Sequence, residues 1–461
     1  MTDLVTAEKE PQCTAAPSFA EVVKSFFQIG ILSFGGPAAQ IGLMHRIAVD
    51  EKRWISEDRF LHALNYCMLL PGPEAQQLAT YIGWLLHGVR GGIVAGLLFV
   101  LPGLAVITGL SAIYALYQDI GWVAGLFFGL KAAVLSIVIE AVVRIGKRAL
   151  KSGFHRAIAA LAFLSLFVLS LPFPVVVLAA GAAGLVVARA GPAVPVSRDA
   201  AAAEAGGWRV SPVRSLLALA FWLMVWQAPL AALYILGDPA GLTAVFSFFS
   251  KMALVTFGGA YAVLAYVAQV AVEHYQWLRP GEMLHGLALA ETTPGPLVLV
   301  LSFVGFLAAF RETGGLDPLL SGVLGALITA WATFVPSFIW IFAGAPHIER
   351  LYGNRLVTGA LSAITAAVVG VILNLAVWFA LHVLFTKVDR LVLWHGFGAR
   401  GKVEGVGFLP VSISVPDPAT LDVAALGISL LAALLVFRFR QGIGRTLLVC
   451  ATAGFALRAL V

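Results

Sequence analysis

"SFGGP" at residues 33–37 and "LLPGPE" at residues 69–74 each set a strong helix-breaking signal inside an apolar segment, and the chain repeats the pattern with "TFGGA" at 256–260 and "TTPGPL" at 292–297. Proline in a helix interior removes a hydrogen bond and clashes with the preceding turn. Paired glycines accept backbone angles that other residues resist. What such breaks mean depends on their surroundings. Of 461 residues, 60% are hydrophobic and 12% are charged, with a mean hydropathy of +0.93. Soluble chains carry about twice that charge, so this one cannot cover a soluble surface. Its apolar runs repeatedly exceed the roughly 20 residues needed to cross a bilayer as a helix. Lipid offers the backbone no hydrogen bonds, so spanning elements are helices or a closed barrel. The runs are continuous rather than alternating, which selects helices. The expected fold is therefore an all-α polytopic membrane protein seated in the lipid bilayer.

Internal repetition organises the chain. Phe34-Gly35-Gly36 recurs 223 residues later as Phe257-Gly258-Gly259, and Ser33, Trp54, His62, Leu64 and Pro71-Gly72-Pro73 recur at the same spacing as Thr256, Trp277, His285, Leu287 and Pro294-Gly295-Pro296. Further on, "KAAVLSIVIE" (131–140) lies against "TAAVVGVILN" (365–374), and Pro102 against Pro336, at a spacing of 234. The second half has thus gained 11 residues, expected in "RETGGLDP" (311–318). Basic residues collect in cytoplasmic loops, and here they swap sides between halves. Residues 46–59 and 144–156 are rich in Lys and Arg while their counterparts are poor, and 171–174 is uncharged while its counterpart carries Arg438, Arg440 and Arg445. An inverted-topology repeat follows: a polar tail (1–18), a first repeat (19–190), a linker with an extra transmembrane helix (191–241) and an inverted second repeat (242–461). The N-terminus is expected in the cytoplasm and the C-terminus on the periplasmic side.

Full crossings are expected near 91–117, 121–144, 156–171, 173–189, 213–237, 318–345, 357–384, 420–437 and 444–461, and broken elements at 19–48, 59–88, 243–273 and 281–310. The first 18 residues lack the basic-then-apolar layout of a signal peptide. Cys13, Cys67 and Cys450 have neither metal nor disulfide spacing. The net charge of +6 sits in loops and reads as topology, giving nucleic-acid binding no support.

A helix that begins inside the membrane leaves free N–H groups and the positive end of a dipole there, which is an anion site. Pro37 and Pro73 are placed to start such helices. Discontinuous helices meeting near the midplane are the recurring architecture of secondary transporters. The alternative is a packing kink, since Gly and Pro are common in membrane helices. Ser33, Gln40, Gln76 and Gln77 in one half, and Thr256, Tyr261, Thr292 and Thr293 in the other, could donate to an oxyanion or satisfy nearby backbone. Lys131, in mid-segment, offers a fixed positive charge, or pairs with a carboxylate or snorkels. Glu74 and Glu291 adjoin the PGP breaks and fit proton coupling, a gate or a helix cap. Glu140 and Arg144 are spaced as a helix pair. Lys251 is expected near an interface, His62 and His285 as packing histidines, and Trp54 and Trp277 as interfacial anchors.

The order "FGGP…W…LPGP…QLA.YIGW" within 34–84, followed by a degenerate "FGG…PGP" copy, resembles the long, two-domain form of the chromate ion transporter family, over about 19–461. The resemblance implies a multi-pass inner (plasma) membrane protein of a prokaryote that exports chromate and confers resistance, with halves of opposite orientation. The family signature falls on Phe34, Gly35, Gly36, Pro37, Pro71, Gly72 and Pro73, and on Phe257, Gly258, Gly259, Pro294, Gly295 and Pro296. Ala260 replaces the counterpart of Pro37, so the halves are not equivalent. An interior-negative potential favours export of anions by about 2.3 kcal/mol per charge per 100 mV. Sulfate or another oxyanion moved with protons is the rival substrate reading, and a passive anion channel the rival mechanism. No flavin, haem, metal or nucleotide motif suggests an enzyme or a cofactor. A homodimer is left open.

Overall fold

The computed structural model describes residues 17–190, 212–256, 260–344, 355–394 and 411–459. The first half comprises α1 (Phe19–Leu32), α2 (Pro37–His45), α3 (Glu57–Cys67), α4 (Glu74–Tyr117), α5 (Gly121–Ala149), α6 (Gly153–Phe167) and α7 (Phe173–Ala190). A linking helix α8 (Pro212–Leu236) leads to α9 (Leu242–Val255), α10 (Ala260–Glu273), α11 (Glu282–Thr292), α12 (Val300–Arg311), α13 (Pro318–Ile339), α14 (Arg355–Leu384), α15 (Val423–Ala433) and α16 (Ile443–Ala459). Among the described residues, six helices are long and apolar enough to cross a membrane. The breaks fall where the sequence sets them: α1 stops at Ser33 and α2 starts at Pro37, and α11 ends at Thr292 before the Pro294–Pro296 break. Pro73 is the residue before α4 rather than its first residue, which is Glu74.

Helix α4 is two arms, because His87 and Gly88 leave helical geometry and Gly88 takes φ +61. The arms 74–86 and 89–117 fold back on each other. A methyl on Gly83 would strike the carbonyl of Gly91, and one on Gly96 would strike Thr80 Oγ1. The second half repeats this hairpin with α12 and α13, where Gly305 and Gly325 meet in the same way. Small residues at these crossings let the backbones approach closely, the usual basis of helix packing in lipid.

The broken elements dip in and return. Lys52, beyond α2, reaches Glu21 at the start of α1 (2.9 Å), and His87 donates from Nε2 to the Pro17 carbonyl (2.9 Å). Tyr66 near the end of α3 lies ring to ring with Tyr81 of α4 (5.9 Å), so those segments are side by side. In the second half Gly286 of α11 packs directly on Phe303 of α12. Matched helices also meet. Arm 89–117 runs antiparallel to α13, with Gly92 against Phe342 and Gly96 against Phe338. The terminal hairpins are exchanged: Gly125 of α5 packs on Gly454 of α16, while Gly359 of α14 packs on Gly184 of α7.

One element departs from the all-helical expectation. Between α14 and α15 an antiparallel ribbon pairs β1 (Val388–Trp394) with β2 (Val411–Pro416). It docks on the first half through Ser412 N–H to the Val168 carbonyl (3.0 Å). Its Val, Leu, Ile and Trp content suits a pleated strand, but the run is too short to stand out against helical neighbours.

Candidate functional site

The breaks of the two halves are bonded to each other. The Gly72 N–H donates to the Thr256 carbonyl and the Gly295 N–H donates to the Ser33 carbonyl, both at 2.8 Å. These two bonds are the same bond under the 223-residue spacing, since Ser33 matches Thr256 and Gly72 matches Gly295. Each PGP tip is therefore held by the FGG break of the other half. An unpaired buried backbone donor costs about 1–3 kcal/mol, so the crossed bonds help fix both interruptions in place. Gly72 (φ +116) and Gly295 (φ +93) take left-handed angles that a side chain resists.

The depth of this crossing follows from its neighbours. Gly103, the midpoint of arm 89–117, abuts the Pro294 carbonyl so closely that a methyl would collide. On the other side Ser337 Oγ stands 3.6 Å from where a Cβ on Gly72 would be. Gly103 and Ser337 follow the matched prolines Pro102 and Pro336. Neither was singled out from sequence, although the paired prolines, used there only to fix the register, marked the place.

Around the crossing three helical segments begin with no side-chain cap: α2 after Gly36, α4 after Pro73, and the turn Leu297–Leu299, which runs on into α12, after Pro296. They converge on a small recess bounded by Pro37, Gln40, Gly72, Glu74 and Pro296, among others. Uncapped N–H groups and the positive dipole ends give such a recess an attraction for anions. Gln40, 1% exposed, donates from Nε2 to the Gly295 carbonyl (2.7 Å), and Gln77 donates from Nε2 to the Pro71 carbonyl (2.7 Å). Each amide keeps a second N–H and a buried Oε1 with no partner, and the hydroxyls of Ser33 and Ser337 and Oε1 of Gln76 are likewise buried and unpartnered. Buried polar groups are normally satisfied. This concentration at the breaks marks a place built for something polar.

Other candidates have different surroundings. Phe34 is half exposed, and Gly36 has open space around it. Pro71 contributes its carbonyl and Pro73 precedes the α4 start. Thr256 and Thr293 turn their hydroxyls back to the carbonyls of Met252 (2.5 Å) and Leu289 (2.7 Å), as does Thr292 to Leu289 (2.8 Å). Phe257, Gly258 and Gly259 lie outside the described residues. Glu291, buried at the end of α11, accepts from the Tyr261 hydroxyl (2.6 Å).

Lys131 is not brought to the breaks. Its Nζ stands 3.2 Å from where a Cβ on Gly281 would be, at the far end of α11, with Asp422 in electrostatic reach. Nearby, His285 bonds Tyr114 (2.9 Å) and Glu282 pairs with Arg311 (2.7 Å). Glu140 and Arg144 form their helix pair at 3.5 Å, and Lys251 is exposed on α9. Trp54 and Trp277 are buried rather than lipid-facing anchors, Trp277 stacking on Tyr275 at 4.2 Å. Cys67 and Cys450 are buried free thiols.

A membrane protein built almost wholly of helices, whose interrupted helices meet over a recess lined by helix starts, has an arrangement that recurs in transporters. The family model described as "Chromate transporter" matches residues 20–185 and 243–457. The chain belongs to the chromate transporter family. It is 32% identical over 363 residues to the "Chromate transport protein" of Pseudomonas aeruginosa, covering 77% of this chain and 79% of that relative. To the "Probable chromate transport protein" of Synechococcus elongatus it is 26% identical over 423 residues, 89% of this chain and 95% of the relative. The "Chromate transport protein" of Cupriavidus metallidurans is 27% identical over 361 residues, 77% of this chain and 82% of the relative. No solved structure matches the chain.

Proposed function

We propose that the protein is a secondary carrier that moves chromate out of a prokaryotic cytoplasm and thereby confers chromate resistance. In this reading one oxyanion site per chain lies on a pseudo-two-fold axis between inverted halves. The observation that carries it is the crossed pair of bonds, Gly72 to Thr256 and Gly295 to Ser33. They bring both PGP tips to one recess. A tetrahedral dianion needs several convergent donors to offset its lost hydration. The helix starts, the free N–H of Gln40 and the Ser33 hydroxyl supply them.

The site is not symmetric. Position 40 is Gln where its counterpart, Val263, is apolar, and position 74 is Glu where its counterpart is Leu297. The first half thus supplies the polar wall and the second half the apolar one. Orientation follows the basic residues. Tracing the helices puts Arg46, Lys52, Lys147, Arg148, Lys151, Arg438 and Arg440 on the face where the first-half hairpins open. Arg279, Arg311 and Lys387 fall on the other. The richer face is cytoplasmic by the positive-inside rule, with the C-terminal helix ending on the periplasmic side. Lys131, near the periplasmic end, serves the route rather than the site.

The test is radiolabelled chromate flux in proteoliposomes under an imposed potential. Saturable movement toward the positive side, competed by excess unlabelled chromate, supports a carrier. Flux that never saturates supports a channel, and flux of sulfate in preference to chromate moves the substrate.

A further inference from the structure

Glu74 is the first residue of α4 and lines the recess between the three helix starts. It is partly buried, and no charged group among the described residues answers it. From α2 it faces Pro37 and Gln40, and from the second-half break Pro296, Leu297 and Val298. Cys67 at the end of α3 is the titratable group within its electrostatic reach. A carboxylate is itself a small oxyanion. Beside uncapped helix starts, it competes for the same positive dipole ends that would hold a tetrahedral anion.

We propose that ionised Glu74 is the built-in occupant of the empty oxyanion site, and that a tetrahedral dianion binds there with Glu74 in its protonated form. This rests on the reading of the recess as the oxyanion site. The reason is electrostatic. A carboxylate and a dianion cannot share one recess without a cation between them, and none is present among the described residues. Protonation removes the repulsion and turns the group from an acceptor into an O–H donor toward the anion. Each dianion therefore enters with one proton and crosses as a single net negative charge. Leu297 occupies the matched position in the second half, so one site carries one such group. Gln40, held against the Gly295 carbonyl at 2.7 Å, stays in place to meet whichever anion is present. Proton and anion affinities are then reciprocally linked.

The experiment measures chromate binding and proton uptake together, using purified full-length protein in weakly buffered detergent, for wild type and Glu74→Gln. Chromate has its own titration, but that is common to both proteins, so the difference belongs to Glu74. Above neutral pH the wild type is expected to take up about one more proton per bound anion than the variant. Its affinity should weaken relative to the variant by about tenfold per pH unit. Equal proton counts and equal pH slopes overturn the inference. At alkaline pH chromate is wholly dianionic, so proton uptake by the wild type alone answers the question if the variant fails to fold, and its absence there is equally damaging. Absence of chromate binding in folded wild type overturns the site reading instead, and this inference with it.

Discussion

Replacing Gly72 with Ala, and separately Gly36 with Ala, separates a glycine that builds the site from one that merely adjoins it. At Gly72 the backbone has φ +116, which costs an L-residue on the order of 1–3 kcal/mol. A Cβ there would stand 3.0 Å from Gln77 Nε2. The amide must shift by a few tenths of an ångström, which weakens its bond to the part-buried Pro71 carbonyl by up to about 1 kcal/mol. The sum, roughly 1–4 kcal/mol, falls on the PGP tip and corresponds to a loss of about 5-fold to 10³-fold in the population of the working geometry. It is smaller than the ~5–15 kcal/mol that holds a typical folded domain, so the variant should still insert and purify. Gly36, in contrast, has φ −53 and no atom within 4 Å of a built Cβ. Its substitution should leave flux within about twofold of wild type, as for a surface change without packing cost. The assay is the initial rate of chromate movement in proteoliposomes, normalised to inserted protein, with size-exclusion profiles as the control on folding. Wild-type flux in Gly72→Ala, or equal damage from Gly36→Ala, would refute the reasoning.

Further expectations follow from the same geometry. Gln40→Leu removes the bond to the Gly295 carbonyl and an anion donor together, so the chromate concentration for half-saturation should rise by about tenfold or more, for a loss of ~1–3 kcal/mol. Arg311→Leu leaves Glu282 buried without its partner. Removing one member of a buried pair costs about 3–5 kcal/mol, which a thermal unfolding scan should read as a clear drop in Tm, and an unchanged Tm would contradict it. Lys131→Ala should slow chromate flux mainly at low ionic strength, because a charge away from the site acts by steering that salt screens. A salt-independent loss of binding would place Lys131 in the site.

The sequence carried most of the architecture because Gly and Pro act locally. Backbone angle at Gly35, Gly72 and Gly295, and the missing donors of Pro37 and Pro73, are properties of single residues, so all four broken elements could be located. The exact 223-residue spacing then paired them. Relations between distant segments were not legible in this way. That Gly72 would bond Thr256, or that Gly103 would lie under Pro294, depends on how hairpins dock. The expected boundary between 59–88 and 91–117 lies beside the turn that the chain makes at His87 and Gly88. Lys131 looked central because it lies within an apolar run, yet depth along a helix does not reveal which face meets the breaks. The ribbon of β1 and β2 lacked a two-residue turn signal to announce it.

The most direct test of the shared site is the stoichiometry of radiolabelled chromate bound at equilibrium to purified protein, compared across wild type, Gly72→Ala and Gly295→Ala. A site formed jointly by both PGP tips predicts one ion per chain, lost in either variant alone. Two ions per chain, or binding that survives in one variant and not in the other, would contradict it.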